Sequence, residues 1–348
     1  MTKKVAVALS GGVDSSVAAF LLKEQGYDVV GVCAKTTYTP EAEMVVRNAE
    51  KVAKKLEIPF FALDVADLFQ ARVINYFVHS YEKGETPNPC IMCNKYIKWG
   101  ILYDYAIKDL NADFIATGHY ARIKKVDGSF KFYPASDEHK DQLYFLFLLG
   151  QEQLSKTLFP LSCYRKEDVR KIANDNDLPS KSSKESQDIC FIKYPMTTKK
   201  FLNDLFEAKK GNFVEKATGK VLGIHDGFWQ YTVGQRKGIG LAAPEALYVT
   251  DIDAVTNTVV VGYKNELYQD KLILKDFNWS YPIQEKIFEA FVKIRYNMQA
   301  VKAKVEISEN QDVILEFAPN TVSAIARGQA CVLYDKNDGH LLGGAFIG

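Results

Sequence analysis

The chain has 348 residues, of which 47% are hydrophobic and 12% aromatic, so its length predicts two or three domains with buried cores. No run approaches the roughly 18 consecutive apolar residues of a membrane span, which excludes a transmembrane helix. The 44 basic and 43 acidic side chains nearly cancel, so any nucleic-acid surface must be a local patch.

The first residues and the cysteine usage indicate a compartment. The opening stretch MTKKVAVALSGG has no signal-peptide cleavage pattern, because its apolar run leads directly into glycines. Six cysteines in a chain of this length do not suggest a disulfide framework. We therefore expect a cytoplasmic protein with reduced thiols. Cys33 and Cys331 lie in strand-like runs and are expected in the core, and Cys163 is expected to be structural.

Strand and helix patterns alternate along the first part of the chain. KKVAVALS, YDVVGVCA, FFALDV and ADFIATGH are typical of strands, and the segments between them have helical periodicity. Thr39 and Pro40 are expected to be the N-cap and the first residue of one of these helices. The alternation predicts a doubly wound parallel sheet, which binds its ligands at the carboxyl ends of the strands.

The pattern changes after about residue 195. Short β-rich runs broken by Gly, Asn and Asp predict hairpins of a small barrel or sandwich. The linker-like stretch YKNELYQDK divides this region near residue 265. We therefore predict an N-terminal α/β domain over 1–197, a small β-rich central domain over 198–265 and a C-terminal β-barrel over 266–348.

The stretch SGGVDSS stands between the first strand and the first helix. Gly11 and Gly12 allow the backbone and the helix N-terminus to approach an anion, and Ser10 and Ser15 add hydroxyl donors. Asp14 is expected either to hold Mg²⁺ or to position the loop. The lysine of a Walker A loop is absent, so the loop suits a pyrophosphate that departs intact. A plain glycine-rich turn is the alternative interpretation.

Three cysteines lie in polar surroundings. Prolines and Asn around Cys90 and Cys93 indicate an exposed loop, and Cys190 follows another polar stretch. Lys95, Lys184 and helix N-termini are expected to lower the thiol pKa and favour the nucleophilic thiolate. A zinc site would have three ligands and no obvious fourth. An iron-sulfur cluster on the three thiols, with one iron left open, remains an alternative.

Eight motifs carry a resemblance to a known family. They occur in the order SGGVDSS, TPNPCIMCNKYIK, ATGHYAR, KDQLYFL, LFPL, VRKIA, ESQDICFI and TVGQRKGIG. The first resembles the pyrophosphate loop of the ATP-pyrophosphatase superfamily, and together they resemble the bacterial tRNA-specific 2-thiouridylase family from end to end. The resemblance implies an adenine nucleotide alpha hydrolase-like domain that binds ATP, followed by a small central domain and a C-terminal β-barrel.

The same resemblance implies the reaction. A tRNA-uridine 2-sulfurtransferase uses ATP and Mg²⁺ to adenylate the C2 oxygen of the wobble uridine, and sulfur from a cysteine persulfide replaces that oxygen. The products are 2-thiouridine, AMP and pyrophosphate, and the implied partners are the tRNA anticodon loop and a protein that donates persulfide sulfur. Three alternatives stay open: another adenylating enzyme of the superfamily, a catalytically silent RNA-binding protein, and the same thiolation run by a three-cysteine iron-sulfur cluster.

Residue roles follow from the resemblance as well. Cys93 is implied as the nucleophile or resolving thiol and Cys190 as the persulfide carrier. The implied ATP contacts are Ala8, Leu9, Ser10, Gly11, Gly12, Val13, Asp14, Ser15, Ala34 and Gly118. The residues implied to line the target base are Asn88, Pro89 and Cys90. The implied tRNA contacts are His119, Lys140, Asp141, Gln142, Arg295, Tyr296 and Gln329.

Two positions depart from the family pattern. Many members have Asp where this chain has Cys90, so an acid or base role of that carboxylate does not apply here. Ala34 replaces a Met that borders the adenine in the family.

Overall fold

The computed structural model describes residues 2–183, 189–193 and 195–348. The strands of its first part are β1 (Lys4–Ala8), β2 (Asp28–Lys35), β3 (Phe60–Asp64), β4 (Phe114–Ala116), β5 (Arg122–Val126), β6 (Ser129–Tyr133) and β7 (Thr157–Leu158). Five of them form a sheet in the order β3-β2-β1-β4-β7, in which every pair is parallel. β5 and β6 form a separate antiparallel hairpin. The parallel sheet predicted from the sequence is confirmed.

Helices pack against both faces of this sheet. They are α1 (Val13–Glu24), α2 (Pro40–Lys55), α3 (Ala66–Phe69), α4 (Asn75–Glu82), α5 (Pro89–Cys93), α6 (Gln151–Ser155) and α7 (Lys166–Asp175). A π-helical segment, Gln70–Ile74, joins α3 to α4, and another, Asn94–Leu102, continues α5. In β1, Ala6 enters one hydrophobic core while Val5 and Val7 enter the other. Burial on both faces explains why β1 is a continuous apolar run, whereas the edge strand β3 is largely exposed.

Two local predictions in this domain are confirmed. The Thr39 hydroxyl accepts a hydrogen bond from the Ala42 N–H at 3.4 Å, and Pro40 is the first residue of α2. Cys33 and Cys331 are buried in hydrophobic cores, as expected for small apolar side chains.

The middle strand of the sheet defines where a ligand can bind. β1 has β2 on one side and β4 on the other, so the strand order reverses there. Open α/β sheets bind ligands in the crevice beyond the carboxyl ends of such strands. Gly118 follows β4 and lies against the start of α1, where a Cβ would be 2.6 Å from the Ser15 nitrogen. Because Gly118 has no side chain, the stretch after β4 can approach the loop between β1 and α1.

In the later part of the chain, the described residues form one α-helix, α8 (Thr198–Leu205), and two further sheets. The central sheet has the order β10-β11-β8-β9 and consists of β8 (Gly211–Glu215), β9 (Val221–His225), β10 (Tyr248–Asp253) and β11 (Thr258–Gly262). The C-terminal sheet consists of β12 (Lys271–Leu274), β13 (Asn278–Trp279), β14 (Ile287–Lys293), β15 (Val301–Ile307), β16 (Val313–Phe317), β17 (Ala330–Asp335) and β18 (Leu341–Phe346).

The C-terminal strands follow the order β12-β16-β15-β14-β17-β18-β13, and every pair is antiparallel. Each of the two later sheets covers its own hydrophobic core. The predicted fold class, an α/β domain followed by two β-rich domains, is therefore confirmed. Among the described residues, no helix combines the length and the apolar composition needed to cross a bilayer.

Candidate active site

The glycine loop joins β1 to α1. Gly11 has a φ of +69°, and a Cβ at this position would lie 2.6 Å from the Asn48 Cβ. The Ser15 hydroxyl accepts a hydrogen bond from the Ser10 N–H at 3.1 Å. The first-turn N–H groups of α1 have no partner within the helix, so they are available to an anion. The predicted segment 8–15 is thus one strand, loop and helix unit with the donors that a phosphate group requires.

Asp14, in the first turn of α1, is held by two side chains from distant parts of the sequence. The Lys166 ammonium lies 2.6 Å and 2.7 Å from the two carboxylate oxygens. The Tyr120 hydroxyl donates a hydrogen bond to the same carboxylate at 2.9 Å. Only 12% of the Lys166 side chain is exposed, so water screens this ion pair weakly. In this structure the carboxylate anchors the loop to α7 and to the stretch that follows β4.

Cys90 and Cys93 lie on α5. The Asn88 side chain accepts the N–H of Cys90 at 3.1 Å and so caps this helix, and Pro89 is its first residue. Cys90 is exposed and Cys93 is half-buried. Asn88 and Pro89 therefore fix the start of the helix that carries both thiols.

Cys190 reaches the same region from the segment 189–193. Phe191 packs edge-on against Phe69 and Phe77, with ring centroids 6.0 Å and 5.4 Å apart. Phe191 and Cys93 both pack against one small hydrophobic core, which contains Val65, Phe69, Val73 and Ile97. Cys190 itself is exposed. The tertiary structure thus brings the second cysteine segment to the helix that carries the first.

The environment of the three thiols differs from the sequence expectation. Burial raises the pKa of Cys90, of Cys93 and of Cys190, in the last case to about 12. The expected net lowering of the thiol pKa is therefore wrong for the free protein. Lys98 is the cation that lowers all three pKa values against this trend.

The two lysines named from the sequence do not take this role in the described structure. Lys95 lies over the ring of Tyr96, 5.2 Å from its centroid. Lys184 lies outside the described residues.

His119 connects Lys98 to the glycine loop. The Lys98 ammonium lies 3.1 Å from Nε2 of His119, and Nδ1 of His119 lies 2.7 Å from the Thr117 hydroxyl. Burial lowers the pKa of His119 well below its usual value, and Lys98 lowers it further. The imidazole is therefore neutral, accepts from Lys98 through Nε2 and donates to Thr117 through Nδ1. Gly118, the preceding residue, contacts the first turn of α1.

The sulfur atoms of the three thiols do not form a close group of ligand atoms in the described structure. Among the described residues, the only three ligand atoms within 4.8 Å of one another belong to Asp335, Asp338 and His340, in a turn of the C-terminal sheet. Asp338 is paired there with the Lys131 ammonium at 3.0 Å. The three thiols are therefore not spaced like the ligands of the tetrahedral zinc site that was considered from the sequence.

Comparison with known proteins decides the family. Three family models cover nearly the whole chain: a tRNA methyl transferase HUP domain over residues 3–194, a tRNA methyl transferase PRC-barrel domain over 199–263 and an aminomethyltransferase beta-barrel domain over 269–347. The tRNA-specific 2-thiouridylase MnmA of Clostridium perfringens is 43% identical over 99% of this chain and 98% of its own. The chain belongs to the tRNA-specific 2-thiouridylase family.

Two further members give the same result. The 2-thiouridylase MnmA of Clostridium acetobutylicum is 42% identical over the whole of both chains. That of Geotalea uraniireducens is 42% identical over 99% of this chain and 95% of its own. The family resemblance found from the eight motifs is confirmed.

In this thiouridylase family member, most residues implied to contact tRNA are occupied by internal hydrogen bonds. The Gln142 side chain accepts the N–H of Tyr120 at 3.1 Å. Asp141 accepts the Ala135 N–H through its side chain at 3.0 Å and the Tyr296 hydroxyl through its carbonyl oxygen at 3.0 Å. These bonds bring KDQ and Tyr296 to one place, and their contact with tRNA stays a prediction.

The other implied RNA contacts have different surroundings. His119 is 8% exposed and both of its ring nitrogens are bonded, so its contact with RNA would require a change of partners. The Gln329 side chain donates to the Thr86 carbonyl oxygen at 2.6 Å. Arg295 is exposed and Lys140 is half-buried. Ala34, which is implied as an ATP contact and not as an RNA contact, is half-buried at the end of β2.

Sequence reasoning missed Lys98, Lys166 and Tyr120. Lys98 follows Cys93 by five positions, which is about one turn of the π-helical segment that continues α5, and the sequence did not predict this π-helical turn. Lys166 is 152 positions from Asp14, and nothing local in the sequence pairs the two residues.

Proposed function

We propose that this protein is a tRNA-uridine 2-sulfurtransferase that converts the wobble uridine to 2-thiouridine at the expense of ATP. The observation that carries the proposal is the continuity between the two halves of the site. Gly118 contacts the start of α1, and the next residue, His119, is bonded to Lys98 on the helix that continues from Cys93. Gly118 and His119 thus connect the glycine loop to the helical stretch that carries Cys93.

The glycine loop serves the first half of the reaction. The C2 oxygen of uracil is a poor leaving group and must first be activated. It attacks the α-phosphorus of ATP, pyrophosphate is released, and the oxygen then carries AMP, which is a good leaving group. The loop donors hold the phosphates in this step. Asp14 offers the carboxylate oxygens that Mg²⁺ prefers, and this ion would supply charge neutralisation at the phosphates.

The thiols serve the second half. The terminal sulfur of a persulfide on Cys190 attacks C2, and AMP leaves with the former C2 oxygen. The Cys93 thiolate attacks the Cys190 sulfur and breaks the S–S bond of the persulfide, so both electrons of that bond stay with the transferred sulfur. A disulfide between Cys93 and Cys190 is left, and a cellular dithiol reductant must reduce it before the next turnover. The target base must leave its stack to reach this site.

The partners follow from this chemistry. They are the anticodon loop of tRNA and a protein that delivers persulfide sulfur to Cys190, and the expected compartment is the cytoplasm, where thiols stay reduced. Asn88, Pro89 and Cys90 are proposed to line the pocket of the base, since they form the turn just before Cys93.

Mass analysis of nucleosides tests the proposal. Unmodified tRNA incubated with the protein, ATP and a persulfide donor is expected to yield 2-thiouridine, with one pyrophosphate released per modified base. Cys93→Ser and Cys190→Ser should abolish the product, whereas Cys163→Ser, an exposed thiol on another segment, should not. Release of pyrophosphate that depends on tRNA but yields no 2-thiouridine, and that is unchanged in both serine variants, would favour another adenylating enzyme. An absence of tRNA-dependent pyrophosphate release would favour a silent RNA-binding protein.

A further inference from the structure

The ion pair at the glycine loop assigns a role to α7. Lys166 is the first residue of this helix, and its backbone N–H donates to the Asp137 side chain at 2.9 Å. Its ammonium contacts both oxygens of Asp14 and lies 5.9 Å from the centroid of the Tyr120 ring. Both the backbone and the ammonium of Lys166 are therefore held, and the ammonium lies against the first turn of α1.

Charge balance explains why a cation is needed at this point. Asp14 follows the two loop glycines by only two positions, and its backbone belongs to the helix end that offers N–H groups to an anion. An unpaired carboxylate there would repel phosphate groups. Lys166 neutralises it, and the low exposure of the lysine makes this compensation stronger than at a solvated surface.

We propose that Lys166 is a nucleotide-binding residue whose ammonium contacts the pyrophosphate portion of ATP, in place of the lysine that the glycine loop itself lacks. When the phosphates bind, they share this cation with the carboxylate of Asp14. This inference rests on the proposed use of ATP and adds a binding residue to it.

Calorimetric titration of the full chain with pyrophosphate, ATP and AMP, without tRNA, tests the inference. Lys166→Met is expected to weaken binding of pyrophosphate and ATP by at least about tenfold, the size of one lost charge-assisted contact. AMP binding should change by less than about twofold, because AMP lacks the two outer phosphates. Lys166→Arg should retain most of the pyrophosphate affinity. Lys171→Met, an exposed lysine on the same helix, is the matched control.

A double variant separates direct contact from simple neutralisation of Asp14. If Lys166 binds phosphate itself, Asp14→Asn combined with Lys166→Met stays weak for pyrophosphate. Recovery of wild-type affinity in the double variant would overturn the inference, and so would an equal loss for AMP or unchanged affinity in Lys166→Met. Failure of the unchanged chain to bind pyrophosphate or ATP would overturn both the inference and the proposed use of ATP. Pyrophosphate binding without 2-thiouridine formation would contradict the proposed function and leave the inference standing.

Discussion

The ammonium of Lys98 donates a hydrogen bond to Nε2 of His119 at a distance of 3.1 Å, and this contact joins the thiol-bearing helix to the edge of the glycine loop. The neutral imidazole, fixed by Thr117, leaves the positive charge on the lysine. Lys98 is thereby held where it opposes the effect of burial on Cys90, Cys93 and Cys190.

Removing this charge should slow the reaction of the thiols with an alkylating agent. In Lys98→Met the pKa of Cys93 and Cys190 should rise further, because the cation that stabilises each thiolate is gone. We expect iodoacetamide to modify both residues about three- to tenfold more slowly at pH 8, as measured by peptide mass analysis over time. Lys98→Arg should resemble the wild type, and Lys95→Met is the control on the same helix. Equal rates in Lys98→Met and Lys95→Met would contradict this prediction.

Cys90 separates the persulfide route from the cluster route. The persulfide route uses Cys93 and Cys190, so Cys90→Asp should retain 2-thiouridine formation within about threefold. A three-thiol iron-sulfur cluster needs all three side chains. Loss of activity in Cys90→Asp, together with loss of a brown chromophore from protein purified without oxygen, would favour the cluster. Nucleoside mass analysis and the visible spectrum of the same anaerobic preparation provide both measurements.

Gly328 sets the position of the turn that precedes the thiols. It has a φ of +84°, and a Cβ there would lie 2.9 Å from the Glu85 Cβ and 3.1 Å from the Thr86 nitrogen. The Thr86 N–H also donates to the Arg327 carbonyl oxygen at 2.8 Å. A side chain at 328 would therefore displace the stretch that leads to Asn88.

We expect Gly328→Ala to lower the rate of 2-thiouridine formation by about tenfold, while pyrophosphate binding changes little because the glycine loop is untouched. Gly339→Ala is a matched control, since Gly339 has a φ of +72° in the same domain but no atom within 4 Å of the added Cβ. The backbone strain is then similar in both variants, and only the contact with the loop differs. Equal rates in the two variants would show that the contact does not matter.

Asp141 should make stability depend on pH. Burial raises the pKa of this carboxyl from 3.8 to about 6, against the hydrogen bonds from Ala135 and Leu143. Because the folded state binds the proton more tightly, the favourable contribution is complete below pH 3.8 and is lost as the pH rises through about 6.

Asp141→Asn removes the ionisation and keeps an oxygen for the Ala135 N–H. The variant should gain about 1 to 2 kcal/mol of unfolding free energy relative to the wild type between pH 4 and pH 8, a value reduced from the full shift because the carboxylate is partly solvated. Denaturant titrations across this pH range measure the difference. Glu138→Gln, at an exposed neighbouring position, should show no such trend.

The parallel sheet and the site motifs could be predicted because their signals lie in contiguous stretches. The cap at Thr39, the glycine loop and the turn at Asn88 each depend on residues within a few positions of one another. The expectation that thiol pKa values are lowered was wrong, since burial depends on which distant segments cover each sulfur. Lys95 was chosen for its closeness in sequence, but its side chain lies over Tyr96.

By itself, the sequence determined the α/β domain, the glycine loop between its first strand and first helix, and the family, since periodicity, turn chemistry and motif order are local properties of a chain. Only the tertiary structure decided which charged side chains contact the glycine loop and the stretch that follows β4. Lys166 meets Asp14 across 152 positions, and Lys98 meets His119 across 21. The physical reason is that charges act through space, and only packing of the sheet, the helices and their loops sets those distances.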